Sequence, residues 1–427
     1  MLLVGVIFLI LLLLNMPVAF AIGIASLFFF LIEPNLPVEI ATQRMVAGTQ
    51  SFPLLAVPFF ILAGNLMNSS GITERLIKFA NALTGHIVGS LAHVSIVLST
   101  IMGGISGSAN ADAAMQSRIL GHQMIKRGYS GGYSVAVIAL SSLITATIPP
   151  SIGLILYGYV GEVSIGRLFL AGVIPGILMM FFLMFVAYVI AKKRGYDQDA
   201  VRKRATFKEV MISLRESIWA LIFPVILVVG IRFGVFTASE AGAFAVVYSL
   251  VVGFFIYREL DWKKFIEAIE QSVVDNATIL LIISTSAILG YLITYERLPQ
   301  SVADFLLGIT SNATLMLILI LVFLGFAGML VESTVLVLLL TPIFLPIVLQ
   351  MGVDPVHFGI LMMTIVTFGG MTPPVGVTMY TVCSLTDVPI EDYIKEAFPF
   401  MLGVVALVLL LTFVPEIVMF LPDLFME

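Results

Sequence analysis

Apolar residues fill this chain in segments of three kinds, and each kind predicts a different element. The first is long: residues 170–191, 217–235 and 240–257 each suit a helix crossing the ~30 Å of hydrocarbon in a bilayer. The N-terminal run belongs with them, since its first 32 residues carry no charge. Asn15-Met16-Pro17 divides that run into two helices. A secretory leader would open on basic residues, so this segment is expected to be retained. The second kind is amphipathic and mildly charged, at 38–50 and 72–84 and again at 262–275 and 297–308. Such segments predict helices lying in the interface as braces, with ordinary loops as the alternative.

The third kind is half-length. Residues 90–104 and 108–124 flank the polar stretch ISGSANAD (Ile105–Asp112), and 314–330 and 333–349 flank GMLVEST (Gly328–Thr334). Neither pair spans comfortably, so each predicts a re-entrant hairpin, the first entering from the cytoplasm and the second from outside. Non-helical backbone is tolerated at membrane depth only where protein buries it or it lines a cavity. The two tips are therefore expected to face a site.

Composition agrees with this pattern. With 60% hydrophobic and 11% charged residues, the chain is expected to be an all-α polytopic membrane protein of about a dozen segments, which excludes a soluble globular domain. One cysteine and four histidines leave no disulfide and no soft-metal cluster to build. There is no P-loop, Ser/His/Asp arrangement or nucleotide motif, so no enzyme is expected and no nucleic-acid partner; an ion gradient or a partner must supply energy. Residues 192–215 hold eight of the 21 Lys and Arg, which places that loop in the cytoplasm. Walked to both ends, the path leaves Arg44, Arg167, Arg232 and Arg297 on or near the outer side.

Punctuation recurs in one register. Pro149-Pro150 returns as Pro373-Pro374 (373 − 149 = 224), and Gly104, Gly128 and Pro175 return at the same offset as Gly328, Gly352 and Pro399. Lys126-Arg127 precedes the first of the paired loop glycines, whereas Gln350-Met351 precedes the second, as opposite orientation predicts. The expectation is two inverted-topology repeats joined by a basic cytoplasmic linker, 192–216. The first, 1–191, contains scaffold helices 1–84, hairpin 90–124 and broken helix 130–161. The second, 217–427, contains scaffold helices 217–308, hairpin 314–349 and broken helix 356–386.

The broken helices TATIPPSIG (145–153) and TFGGMTPPVG (367–376) supply the other wall. Proline removes a donor and frees a carbonyl one turn earlier, and freed carbonyls suit Na+. Helix N-termini after the tips aim N–H groups at an anion. Candidate Na+ ligands are Ser106, Ser108, Asn110 and Ile148 at the first tip, and Gly328, Glu332, Gly369, Gly370 and Thr372 at the second. Candidate substrate contacts are Ser106, Gly107, Ser108, Asn110, Ser333 and Thr334. Close helix packing is the competing reading of such small residues. Asp112 and Glu332, ionisable at membrane depth, fit an ion site, a proton carrier, or neutralisation by an arginine such as Arg118.

NMPVAFAIG (15–23), VPFFILAGNLMNSSGITERLI (57–77), ISGSANADAA (105–114), IPPSIGLILYG (148–158), LFLAGVIPG (168–176) and MTPPVGV (371–377) together resemble the large membrane subunit of tripartite ATP-independent periplasmic (TRAP) transporters, over essentially the whole chain. The resemblance implies Na+-driven import of an organic acid across the bacterial inner membrane. It implies delivery by a periplasmic substrate-binding protein, a small four-helix membrane subunit alongside, and an elevator in which both hairpins slide against a scaffold of the spans near 17–67 and 217–294. Because the chain opens on the large subunit's first helix, the small subunit is expected as a separate polypeptide. Sialic acid is the favoured substrate, by overall likeness to that branch, with C4-dicarboxylates next. A stand-alone Na+/carboxylate symporter is the runner-up, and a scaffold or channel the reading from another class.

Overall fold

The computed structural model describes residues 1–197, 204–310 and 312–426, and these contain helices and connections but no strand. The first stretch forms α1 (Leu2–Leu13), α2 (Val18–Ile32), α3 (Val38–Ala47), α4 (Ala56–Ser69) and α5 (Ile72–Thr84). It continues with α6 (Ser90–Ser106), α7 (Ala109–Gln116), α8 (His122–Lys126), α9 (Gly131–Thr147), α10 (Ile152–Gly161) and α11 (Ile165–Arg194). The second comprises α12 (Phe207–Arg232), α13 (Ala238–Val251), α14 (Trp262–Tyr295) and α15 (Leu298–Ile309). The third comprises α16 (Ala313–Leu330), α17 (Ser333–Gln350), α18 (Pro355–Gly369), α19 (Val377–Thr386), α20 (Ile390–Phe413) and α21 (Glu416–Phe425). Among the described residues eight helices are long and apolar enough to cross a membrane, or nine if the pair α9 and α10, bent by 43°, counts as one span.

Two expected boundaries move. The basic linker is shorter than 192–216, because α11 carries Lys192–Arg194 within its last turn before stopping at Gly195 (φ +74°), and α12 opens at Thr206. Thr206 and Glu209 form a reciprocal capping box there, satisfying the first free N–H groups of α12 well before residue 217. Part of the linker, 198–203, lies outside the described residues. The segment 262–275 is not a separate brace either: it is the first part of the 34-residue helix α14. Its counterpart α3 is cut off from α4 by a connection holding Gly48 and Pro53, whereas α14 contains no proline to interrupt its hydrogen-bond ladder.

Both tips break helix where the polar stretches fall. Gly107 is left-handed (φ +61°) and Ser108 extended, while Val331 and Glu332 are both extended. Ser108 and Glu332 serve as N-caps of the following arms, 224 residues apart. The same offset relates Gly128 and Gly352, both at positive φ, and the N-caps Ser130 and Asp354. Pro149-Pro150 and Pro373-Pro374 are both cis. Both arms of the first tip, α6 and α7, pack on α9, and both arms of the second, α16 and α17, pack on α18. The halves also cross: α7 lies against α19 and α17 against α10. A separate group, in which α14 packs on α2, α3 and α4 and α13 on α4, stands beside them and meets the tips through α4 on α6 and α14 on α17.

The first tip admits no side chain at its turn. A Cβ on Gly107 would sit 2.3 Å from the Pro150 carbonyl oxygen, at a φ that L residues avoid. Gly107→Ala is expected to cost at least about 1–3 kcal/mol and to lower the thermal unfolding temperature of the purified protein in detergent. Gly308→Ala, in α15 with open space around it, is the control and is expected to change stability little.

Candidate substrate and cation site

A cavity of about 670 Å³ lies between the tips and the helices α2, α4 and α14. All six candidate substrate contacts line it: Ser106, Gly107, Ser108 and Asn110 from the first tip, and Ser333 and Thr334 from the second. Of the candidate Na+ ligands, Ser106, Ser108, Asn110 and Glu332 also line it, and Ile148, Gly328, Gly369, Gly370 and Thr372 do not. Those five sit behind the wall, where each tip meets its broken helix. There the small residues serve close packing. A Cβ on Gly328 would lie 2.4 Å from the Val366 carbonyl oxygen and 3.1 Å from Gly369 Cα. Backbone bonds tie the two pieces together, from Ile152 N–H to the Gly107 carbonyl (3.4 Å) and from Gly376 N–H to the Met329 carbonyl (2.9 Å).

The two candidate cation sites differ in how free their oxygens are. At the first, the Ser106 hydroxyl is buried without a hydrogen-bond partner. Among the described backbone hydrogen bonds, none ends on the Ile148 carbonyl. A buried hydroxyl without a partner is costly, and two hard oxygens of this kind fit a hard cation. At the second, the Gly369 carbonyl accepts Thr372 N–H (2.9 Å) and the Thr372 hydroxyl (2.7 Å), and the Gly370 carbonyl accepts Thr378 N–H (2.9 Å) and Met379 N–H (3.4 Å). Both lone pairs of each are engaged in this conformation. Glu332 is turned into its own helix, accepting Thr334 N–H (2.9 Å), Val335 N–H (3.3 Å) and the hydroxyls of Ser333 (3.3 Å) and Thr334 (2.9 Å). Asn110 is hydrogen-bonded by Thr378 of the opposite half, which links the first tip to the second break.

Asp112 lies outside the cavity and, among the described residues, pairs with no arginine. It is buried, and Ser99 (2.7 Å), Thr145 (2.9 Å) and Gln116 (3.0 and 3.1 Å) donate to its carboxylate. These neutral donors come from α6, α7 and α9, so the carboxylate pins both arms of the first hairpin to the broken helix. Arg118 makes no ion pair among the described residues. Four polar residues not expected from the sequence also line the cavity: Asn65 and Asn68 on α4 and Asp275 and Thr278 on α14. Two asparagines spaced i, i+3 in the apolar stretch around NLMNSS were an available signal; Asp275 was masked by its place in a segment read as a surface brace.

Residues 5–417 match the family described as "Tripartite ATP-independent periplasmic transporter, DctM component". The chain belongs to this family. Among its relatives, the sialic acid TRAP transporter large permease protein SiaM of Vibrio cholerae is 39% identical over 412 residues, covering 96% of each chain. The sialic acid TRAP transporter permease protein SiaT of Haemophilus influenzae is 35% identical over 418 residues, 98% of this chain and 67% of that one. In fold, the DctM chain is similar to the Alcanivorax borkumensis YdaH transporter, with a TM-score of 0.64 at 15% identity over 90% of both chains. The resemblance drawn from six short motifs is thus borne out: this is a TRAP transporter large permease of the inner membrane.

Removing the Asp112 carboxylate strands four hydrogen-bond contacts in a dry network. Asp112→Ala is expected to lose about 3 kcal/mol or more, read as a lowered unfolding temperature in detergent, whereas Asp112→Asn, which keeps the shape, should lose clearly less. Equal losses would show that shape alone recovers nothing and that the network depends on the carboxylate itself.

Proposed function

We propose that this permease imports an organic acid, with sialic acid favoured and C4-dicarboxylates next, together with Na+. The observation that carries the reading is the convergence of two broken tips on one cavity whose lining, among the described residues, holds Asp275 and Glu332 but no Arg, Lys or His. An organic anion entering such a cavity meets like charge and no fixed cation, so it is held only in company with mobile cations. Ser106, Ser108, Asn110 and the Ile148 carbonyl hold one Na+. Glu332, Gly328, Gly369, Gly370 and Thr372 hold a second once the turn after α18 gives up its internal bonds. The substrate carboxylate rests on Gly107 and on the N–H groups and hydroxyls that open α7 and α17, with Ser333 and Thr334 at the second tip.

Transport follows as an elevator between two inverted repeats. The tips with α9, α10, α18 and α19 travel as a body against the group of α2, α4, α13 and α14, and the cavity at their boundary opens to one side at a time. A periplasmic substrate-binding protein delivers the acid and a small four-helix membrane subunit holds the static group in place. The cavity volume is within the ~300–1,000 Å³ of small-molecule sites. The absence of any fixed cation among the described lining residues favours a monocarboxylate held by hydroxyls and backbone over a dicarboxylate.

The test is uptake of labelled sialic acid into liposomes containing both membrane subunits. Uptake is expected only with an inward Na+ gradient and the binding protein; uptake without the binding protein would point to a stand-alone symporter, and currents far above carrier turnover to a channel. Ser106→Ala, at one Na+ site, and Thr334→Ala, whose hydroxyl holds the Glu332 ligand of the other at 2.9 Å, are each expected to raise the Na+ concentration for half-maximal uptake about tenfold, the equivalent of ~1.4 kcal/mol, at normal expression. Unchanged Na+ activation in both removes the assignment.

A further inference from the structure

Among the described residues, the α2, α4 and α14 side of the cavity contains one ionisable group, Asp275, and its surroundings say what it recognises. Asp275 Oδ2 accepts from Asn65 Nδ2 at 3.1 Å, and Oδ1 from Gln271 Nε2 at 2.8 Å. Asn65 is itself fixed, because the same amide donates to the Ser272 hydroxyl at 3.0 Å. Asp275 forms no ion pair among the described residues. An ionised carboxylate offers about four acceptor positions, so two bonds leave half of them open on a group that lines the cavity. Glu332 differs: its four hydrogen bonds all return to its own helix. Asp275 is therefore the cavity carboxylate with capacity left for a ligand, and it lines the cavity from α14, whereas the helix N-termini belong to α7 and α17.

A group that can only accept hydrogen bonds sorts ligands by chemistry. It repels a second carboxylate and attracts O–H and N–H donors. We propose that Asp275, positioned by Asn65, is the substrate-contacting residue that sets specificity, taking the hydroxyl or amide donors at the end of the substrate remote from its carboxylate. The permease thereby selects monocarboxylates with a donor-rich tail over dicarboxylates. This deepens the proposed function and rests on it. The pair also fixes the orientation of the bound acid, carboxylate toward the tips and tail toward α4 and α14, because the reverse placement sets two negative groups against each other.

The binding protein screens ligands upstream, so the test is direct binding to the purified complex of both membrane subunits, by calorimetry in Na+, with sialic acid and with succinate. The wild type is expected to bind sialic acid more tightly. Asp275→Asn, which keeps the shape and the Asn65 contact, is expected to weaken sialic acid about tenfold and to strengthen succinate, with the Na+ requirement unchanged. Asn65→Ala, which keeps the charge, is expected to weaken sialic acid without admitting succinate, and it serves if the first variant does not fold. An unchanged ratio of the two affinities in Asp275→Asn overturns the inference alone. So does a shifted Na+ requirement at constant ratio, which would make Asp275 a cation ligand. Failure of the wild-type complex to bind any organic acid overturns the proposed function, and this inference with it.

Discussion

A polar backbone group cannot be left unpaired in hydrocarbon, and that constraint organises the molecule. A helix in this setting can break only where other protein covers the break or a cavity meets it. Each break here is covered by another: Gly107 reaches Ile152 beside Pro149-Pro150, and Met329 reaches Gly376 beside Pro373-Pro374. The glycines at these contacts follow from the same requirement. Gly328 and Gly369 let two helix backbones approach within what would be the radius of a side chain. Packing and polarity are therefore not rival explanations of the small residues. The glycines bring the backbones together, and the hydroxyls beside them face the space that results.

Charge placement gives that space its character. The carboxylates of the region are handled in three ways. Asp112 is buried in neutral donors and holds the first hairpin together. Glu332 caps α17 while lining the cavity. Asp275 lines it with acceptor capacity to spare. With no fixed cation among the described lining residues, an anionic solute and mobile cations need one another in the site, which is the physical content of coupling in the mechanism proposed here.

Much of the local structure was legible in advance. The tips at Gly107-Ser108 and Val331-Glu332 fall inside the two polar stretches flagged by half-length apolar runs, and the six residues expected to meet substrate share one cavity. The misses have a common form. Asn65 and Asp275 are 210 residues apart, and Ser99 and Thr145 reach Asp112 from helices other than its own. No periodicity links such partners. Of the alternatives open for Asp112, neutralisation by Arg118 is not seen: Arg118 lies exposed in the π-helical turn Ser117–Gly121 and makes no ion pair among the described residues. The continuity of α14 was missed because its charged first turns resemble an interfacial helix until their packing on α4 is seen.

By itself, then, the sequence determined what each segment is: apolar length sets the spans, glycine and proline set where they stop, and the 224-residue register sets that it happens twice. These are local rules, written in neighbouring residues. Only the tertiary structure decided which polar groups share a space. Hydrogen bonds between helices depend on which faces pack, and packing is settled by the whole chain at once.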